Sequence, residues 1–156
     1  MIVIDRQDEL REYITKETKG YYDPAMTTCI GLETNGKIVA VTAFNNYNGA
    51  STQIHIAITG RLTREYTLYV YRYAFDVMKV HKLIGLVSSA NEKALRFDKH
   101  SGYVEEARIK DGYPDGDVII LTMTRDQCKF LQKDFHKTDI ITHKQATLFN
   151  VYQQRH

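Results

Sequence analysis

The feature that most constrains this chain is a change of period near its middle. Ser51 to Ile58 alternates cleanly: Ile54, Ile56 and Ile58 face one way, and Gln53, His55 and Ala57 face the other. Thr59-Gly60-Arg61-Leu62 is a tight connection, and Thr63 is a good N-cap for a helix reaching about Val80. Within that helix Leu68, Tyr71, Phe75 and Met78 keep helical spacing, while Val70, Ala74 and Val77 widen the buried face. Leu83 to Ser88 then reads as an apolar strand. Strand, helix and strand in this order predict a right-handed crossover between two parallel strands. The rest of the fold must be built around that pair.

The flanks read mostly as hairpins. Ile2 to Ile4 is a short strand, and Asp8 to Thr18 a helix with Leu10, Tyr13 and Ile14 on one stripe and Gly20 as its stop. Tyr21 to Pro24 is loop. Thr27 to Glu33 and Lys37 to Phe44 are strands joined through Asn35-Gly36, a strong hairpin signal, and Asn45 to Gly49 makes a second turn. After the crossover, Ser89 or Asn91 caps a helix whose inner face includes Ala94 and Phe97, and Gly102 ends it. Tyr103 to Lys110 and Asp117 to Thr124 are strands joined by the turn-rich Asp111 to Gly116, and Arg125 to Gln132 looks helical. The order β-α-β-β-β-α-β-α-β-β predicts an α/β (α+β) domain: a mixed, mostly antiparallel sheet of six or seven strands with helices on its faces. We expect one domain over residues 1–128 and a C-terminal extension over 129–156.

Charge and cysteine usage narrow the function classes. Net charge is only +2, from 21 basic and 19 acidic residues, which speaks against a nucleic-acid partner. The longest apolar stretches, such as Val118 to Leu121, are far too short to span a bilayer. Asp5, Arg6, Asp8 and Glu9 stand where a signal peptide needs an apolar core, so a cytoplasmic location is expected. Cys29 and Cys128 are isolated, with no zinc-type spacing, and read as structural thiols; no metal is expected. The segment after Lys129 is basic, and His136 and His143 within it lack a third ligand. The tyrosines of the middle helix, Tyr66, Tyr69, Tyr71 and Tyr73, are expected to pack on the sheet and its rim rather than stack on bases.

Two segments could carry chemistry. The junction Ile58-Thr59-Gly60-Arg61-Leu62-Thr63 runs a strand into a helix start, where free amides and a helix dipole suit an anion such as pyrophosphate, with Arg61 or Arg64 adding charge. The second segment, Val87 to Tyr103, places Asn91 at a helix start, Ala94 and Phe97 on one face, and Gly102-Tyr103 at the exit.

The pattern Asn91-x-x-Ala94-x-x-Phe97-x-x-x-x-Gly102-Tyr103 resembles the signature of GNAT-type N-acetyltransferases. Val104 to Arg108 and Asp117 to Arg125 resemble the closing hairpin of that family, nearest in character to ribosomal-protein-modifying members and short phage-encoded relatives. The resemblance covers roughly Thr27 to Cys128. It implies an acetyl-CoA-dependent transfer of an acetyl group to a primary amine (a protein N-terminus, a lysine or a small amine) by direct transfer in a ternary complex. The cofactor would lie between the strands Ser51–Ile58 and Leu83–Ser88, on Ile56, Ala57 and Ile58, with its pyrophosphate on Thr59, Gly60, Arg61, Leu62, Thr63 and Arg64. Asn91 and Phe97 would contact it. In the family the pyrophosphate loop carries more glycine; here Gly60 stands alone.

The transfer needs a base, an oxyanion donor and help for the leaving thiolate. A backbone N–H near Ile56 to Ile58 would serve the oxyanion. His55, on the face away from the isoleucines, suits the base, since histidine titrates near about 6.5. Many family members carry a tyrosine one residue past the aromatic of the second helix; this chain has Asp98 there. Tyr21 and Tyr22, in the loop bordering the acceptor side, are the expected substrate contacts. The contrasting expectation is a catalytically silent protein of the same fold that works as a protein–protein interaction module. An exposed sheet edge and a long tail would also allow a homodimer.

Overall fold

A computed structural model describes residues 1–132; residues 133–156, and with them most of the expected extension including His136 and His143, lie outside the described residues. Its elements are β1 (Ile2–Val3), α1 (Gln7–Thr18), β2 (Thr27–Thr34), β3 (Lys37–Asn45), β4 (Ser51–Ile58), α2 (Arg64–Arg72), β5 (Lys82–Ser88), α3 (Glu92–Ser101), β6 (Val104–Tyr113), β7 (Gly116–Met123) and α4 (Lys129–Gln132). The strands form one seven-stranded sheet in the order β1-β2-β3-β4-β5-β7-β6, antiparallel throughout except for the parallel pair β4 and β5. The expected mixed sheet with a central crossover is therefore what the chain builds. The β2–β3 hairpin closes through Asn35 (φ 52°) and Gly36 (φ 75°), the left-handed pair that a tight hairpin turn requires.

Helices cover both faces. On one, Leu10 and Ile14 of α1 pack with Cys29, Val41, Ala43, Ala57 and Tyr22. Gln7 fixes that helix to the sheet: its side-chain amide donates to Ile4 O and Cys29 O (both 2.8 Å) and accepts from Cys29 N. The larger core lies on the other face, where α2 and the turn after it bury Tyr66, Val70, Tyr71, Ala74, Phe75 and Met78 over Ile30, Phe44, Ile54, Leu83 and Leu121. The Tyr66 hydroxyl donates to Ile30 O and bonds Thr42 Oγ1, each at 2.9 Å, so this buried tyrosine satisfies its polar end against the sheet. Tyr66, Tyr71 and Tyr73 are core residues, as expected.

Three boundaries differ from expectation. The middle helix does not run to Val80: after Arg72 it widens into a π-helical turn, Tyr73–Val77, and Lys79 leaves it with φ 55°. Tyr73, Ala74, Phe75, Val77 and Met78 are all buried. An α-helix presents only a stripe to one core, and the extra residue per turn brings this nearly all-round apolar run inward. Arg125 to Gln132 is not one helix either. A single 3-10 turn, Arg125–Gln127, stops at extended Cys128 before α4 begins. That break lets Arg125 Nε reach Asp76 Oδ1 at 3.0 Å, while Phe130 stacks on Tyr71 at 5.7 Å. Finally, β6 continues to Tyr113, which lengthens the β6–β7 hairpin and confines its turn to Pro114 and Asp115.

Candidate active site

The site arises from a failure of pairing. β4 and β5 are matched at only three positions, Ser51 with Lys82, Thr52 with Leu83 and Gln53 with Ile84. Beyond them β4 follows β3 as far as Ile58, whereas β5 follows β7 as far as Ser88. The two parallel strands splay, and a cleft of about 940 Å³ opens between Ile54–Ile58 and Gly85–Ser88. Backbone polar groups along a splayed edge lack their ladder partner and are available to a ligand. The end of α1 and the following loop, Glu17 to Tyr22, form one end of the cleft; Asn91, Ala94, Phe97 and Asp98 of α3 form another wall, with Tyr103 and Tyr113.

Eight residues named from the sequence line this space: Tyr21, Tyr22, His55, Ile56, Ala57, Ile58, Asn91 and Phe97. His55 lies on the α1 face of the sheet, as its place in the alternation requires. Its Nε2 is 3.2 Å from Asn45 Oδ1, and the Tyr22 ring meets it edge-on with centroids 5.4 Å apart. Facing an amide oxygen, Nε2 carries the proton, which leaves the lone pair on Nδ1. Burial without a charged partner lowers the His55 pKa below its usual value. Tyr21 is exposed (81%), but Tyr22 is not a loop-tip residue: it is 6% exposed, and its hydroxyl bonds Thr18 Oγ1 at 2.8 Å. Its ring is a wall for the histidine.

Asn91 caps α3, its Oδ1 accepting from Ala94 N at 3.1 Å. Phe97 stands on the cleft side of that helix. One residue on, Asp98 also lines the cleft, and burial pushes its pKa up to about 6. Sequence reasoning placed no role on Asp98; the available signal was an acid adjoining Phe97 on a helix face otherwise made of Ala94, Phe97 and Ser101. Tyr113 was also missed. It reaches the cleft only because β6 extends past Lys110, and its hydroxyl donates to Leu86 O at 3.4 Å.

Thr59 to Arg64 sit at the end of β4, outside the lining of the cleft, and the expected row of free amides is partly used within the fold. Thr59 N (2.8 Å) and Gly60 N (3.1 Å) both donate to Val39 O. Thr59 Oγ1 bonds the Tyr13 hydroxyl, and Thr63 Oγ1 caps α2 at Tyr66 N. The glycine has a packing reason: a Cβ on Gly60 would lie 2.8 Å from Val39 Cβ. Among the described residues, the loop amides outside that bonding are those of Arg61, Leu62 and Thr63, ahead of α2. The two cysteines are buried and unpaired, with burial pushing the Cys29 thiol up to about 12. Among the described residues no three His, Cys, Asp or Glu side chains come together, and no helix is long and apolar enough to cross a membrane.

An open sheet splayed at one parallel pair, with a helix on each side of the gap, is the fold of the GNAT-type N-acetyltransferases, and this chain has it. The solved structures it resembles include mutant forms of the spermidine/spermine N-acetyltransferase SpeG from Vibrio cholerae (TM-score 0.69, 15% identity, covering 86% of this chain and 98% of that one). A second is the Vibrio cholerae spermidine N-acetyltransferase in complex with CoA and spermine (TM-score 0.66, 15% identity, 84% and 97%). A third is the dodecameric form of that enzyme in an intermediate state (TM-score 0.59, 20% identity, 83% and 78%). No family model and no curated protein matches the sequence.

Proposed function

We propose that the protein is an acetyl-CoA-dependent N-acetyltransferase that passes an acetyl group directly to a primary amine. The observation that carries this is the splay of β4 from β5 with an ionisable residue on each wall. The edge of Ile56 to Ile58 that β5 leaves unpaired suits the pantetheine and the thioester carbonyl, whose developing oxyanion a strand N–H would stabilise. The helix start at Arg61 to Arg64 offers the anion site for the pyrophosphate. Asn91 and Phe97 border the cofactor. Neutral His55, ordered by Asn45 and Tyr22, takes the proton from the amine, which enters past Tyr21. A solved relative in fold holds CoA and spermine, which supports the cofactor and an amine acceptor. The acceptor class stays at primary amines: a polyamine, another small amine, a lysine or a protein N-terminus. The chemistry belongs to the domain of residues 1–128, and residues 129–156 extend it.

The engaged amides of Thr59 and Gly60 favour one second reading, a catalytically silent member of the fold that binds another protein. Calorimetric titration with acetyl-CoA, with ATP and NAD as controls, separates the two. Selective, near-stoichiometric binding in the micromolar range is expected, followed by release of free thiol when spermidine, spermine, lysine or an N-terminal peptide is supplied. A folded protein giving no heat with acetyl-CoA would leave the interaction module standing instead.

A further inference from the structure

The rings and charges around His55 bear on which primary amine the cleft takes. Leu83 and Val87 of β5 join the larger core on the α2 face, so alternation puts Leu86 on the α1 face with His55. What lies there is aromatic and apolar. The Tyr22 ring stands edge-on to the imidazole, at 5.4 Å. Tyr113 comes from the other side, its hydroxyl on Leu86 O at 3.4 Å. Burial raises the Tyr22 pKa, and the nearby Tyr113 phenol adds to the rise. Leu86 leaves 38% of its surface exposed and Tyr21 81%, and both line the cleft. Charge is sparse and balanced: Glu17 is matched by Lys19 at the end of α1, and Asp98 by Lys93 on α3. The contacts of His55 itself are the Asn45 amide and the Tyr22 ring, both uncharged. We propose that the acceptor is a monoamine carrying an uncharged aromatic group, of the phenethylamine kind, with its ring against Tyr113, Tyr21 and Leu86. This specificity rests on the acetyltransferase reading above.

A polyamine fits this lining poorly. Its second ammonium follows the first by a few methylenes, and a cation taken out of water needs a carboxylate that no other cation already neutralises. Each carboxylate in this cleft has a lysine on or beside its own helix. A monoamine brings a single charge and loses it on becoming the nucleophile, so nothing charged follows it in. A ring laid on Leu86 covers apolar surface that water now touches, and the Tyr21 and Tyr113 rings can meet it edge-to-face. Tyr22 is held by Thr18 and stands against His55, which leaves Tyr113 as the side chain that distinguishes one amine body from another. The transfer itself is unchanged. The nitrogen bonds to the acetyl carbonyl carbon and gives its proton to His55; the C–S bond breaks, sulfur leaving with the electron pair. Sulfur gains a proton from water and His55 returns one, so amine plus thioester gives amide plus thiol.

The test uses the full chain with acetyl-CoA and follows free thiol with 2-phenylethylamine, n-butylamine and spermidine as acceptors. We expect kcat/KM for phenylethylamine to exceed that for spermidine by about tenfold. In Tyr113→Leu the ratio of kcat/KM for phenylethylamine to that for butylamine should fall about fivefold, whereas Tyr113→Phe, which keeps the ring, should hold it. A general loss of folded protein lowers both rates and leaves that ratio where it was. Spermidine used as well as phenylethylamine, or better, overturns the proposal, and so does an unchanged ratio in Tyr113→Leu. A native chain that binds acetyl-CoA but does not acetylate phenylethylamine overturns it as well, whatever other amine reacts. The underlying function is read separately: no acetyl-CoA binding and no turnover with any of the amines would remove the acetyltransferase reading itself.

Discussion

The two walls of the cleft strip water from an ionisable group each, with opposite results. On β4, burial under Tyr22 pushes His55 down; on α3, burial beside Tyr71 and Tyr103 pushes Asp98 up. One physical cause serves both, because a low-dielectric setting penalises whichever form is charged. Each shift favours the neutral form of its group, and desolvation is the cause of both. The walls differ in support. His55 is held by a hydrogen bond with Asn45 and an aromatic edge, while the Asp98 carboxyl makes no bond among the described residues. A positioned group suits accepting a proton at one fixed point.

Removing the base should have the largest effect. His55→Ala is expected to lower kcat by about 10²–10⁴, roughly 3–5 kcal/mol of barrier, with the Kd for CoA unchanged. Because burial lowers the His55 pKa, its neutral form persists below pH 6.5, so the acid limb of kcat/KM should fall below the usual histidine range and vanish in the variant. Full activity in His55→Ala would take the histidine out of the mechanism and leave the β4 wall with no base.

A middle-sized effect sharpens the contrast between the cleft and the loop beside it. Gly60→Ala places a Cβ 2.8 Å from Val39 Cβ and 3.0 Å from its Cγ1, so close that something must shift. We expect a loss of about 1–3 kcal/mol in denaturant unfolding and a change in the Kd for acetyl-CoA of less than about threefold. Unchanged stability with binding weakened tenfold would reverse the assignment and make Gly60 part of the pyrophosphate cradle.

Much of this was readable in the residues. The period change at Thr59, the Asn35-Gly36 turn and the Asn91 and Gly102 caps are local signals, and each element they delimit exists. The face on which His55 lies follows from strand alternation alone. What escaped depends on long-range geometry. Nothing in Ser51–Ile58 or Leu83–Ser88 says that pairing stops after Gln53 and Ile84; that register is set by β3 and β7. The π-helical turn at Tyr73–Val77 reflects burial from every side, which no stripe of side chains announces. The amides of Thr59 and Gly60 looked free because Val39 is twenty residues away in the chain. Asp98 was visible as a residue, but the groups packed near it come from α2 and from the approach to β6.

The smallest effect is on stability, and it tests the same desolvation without any cofactor. Unfolded, Asp98 titrates near about 3.9; folded, it titrates at about 6. The folded chain thus binds this proton more tightly. The carboxyl favours folding below about pH 4, and that contribution is lost as the pH rises through about 6. Two pH units correspond to nearly 3 kcal/mol; the side chain is only partly buried, which reduces the expected penalty above pH 6 to about 1 kcal/mol. Asp98→Asn removes the charge and keeps the shape. The variant should therefore be more stable than the native chain by about 1 kcal/mol at pH 8, roughly 2–4 °C in Tm, and equal to it at pH 4. A variant with no advantage at pH 8 would mean that water reaches the carboxyl freely, and the α3 wall would then resemble an ordinary surface rather than the counterpart of β4.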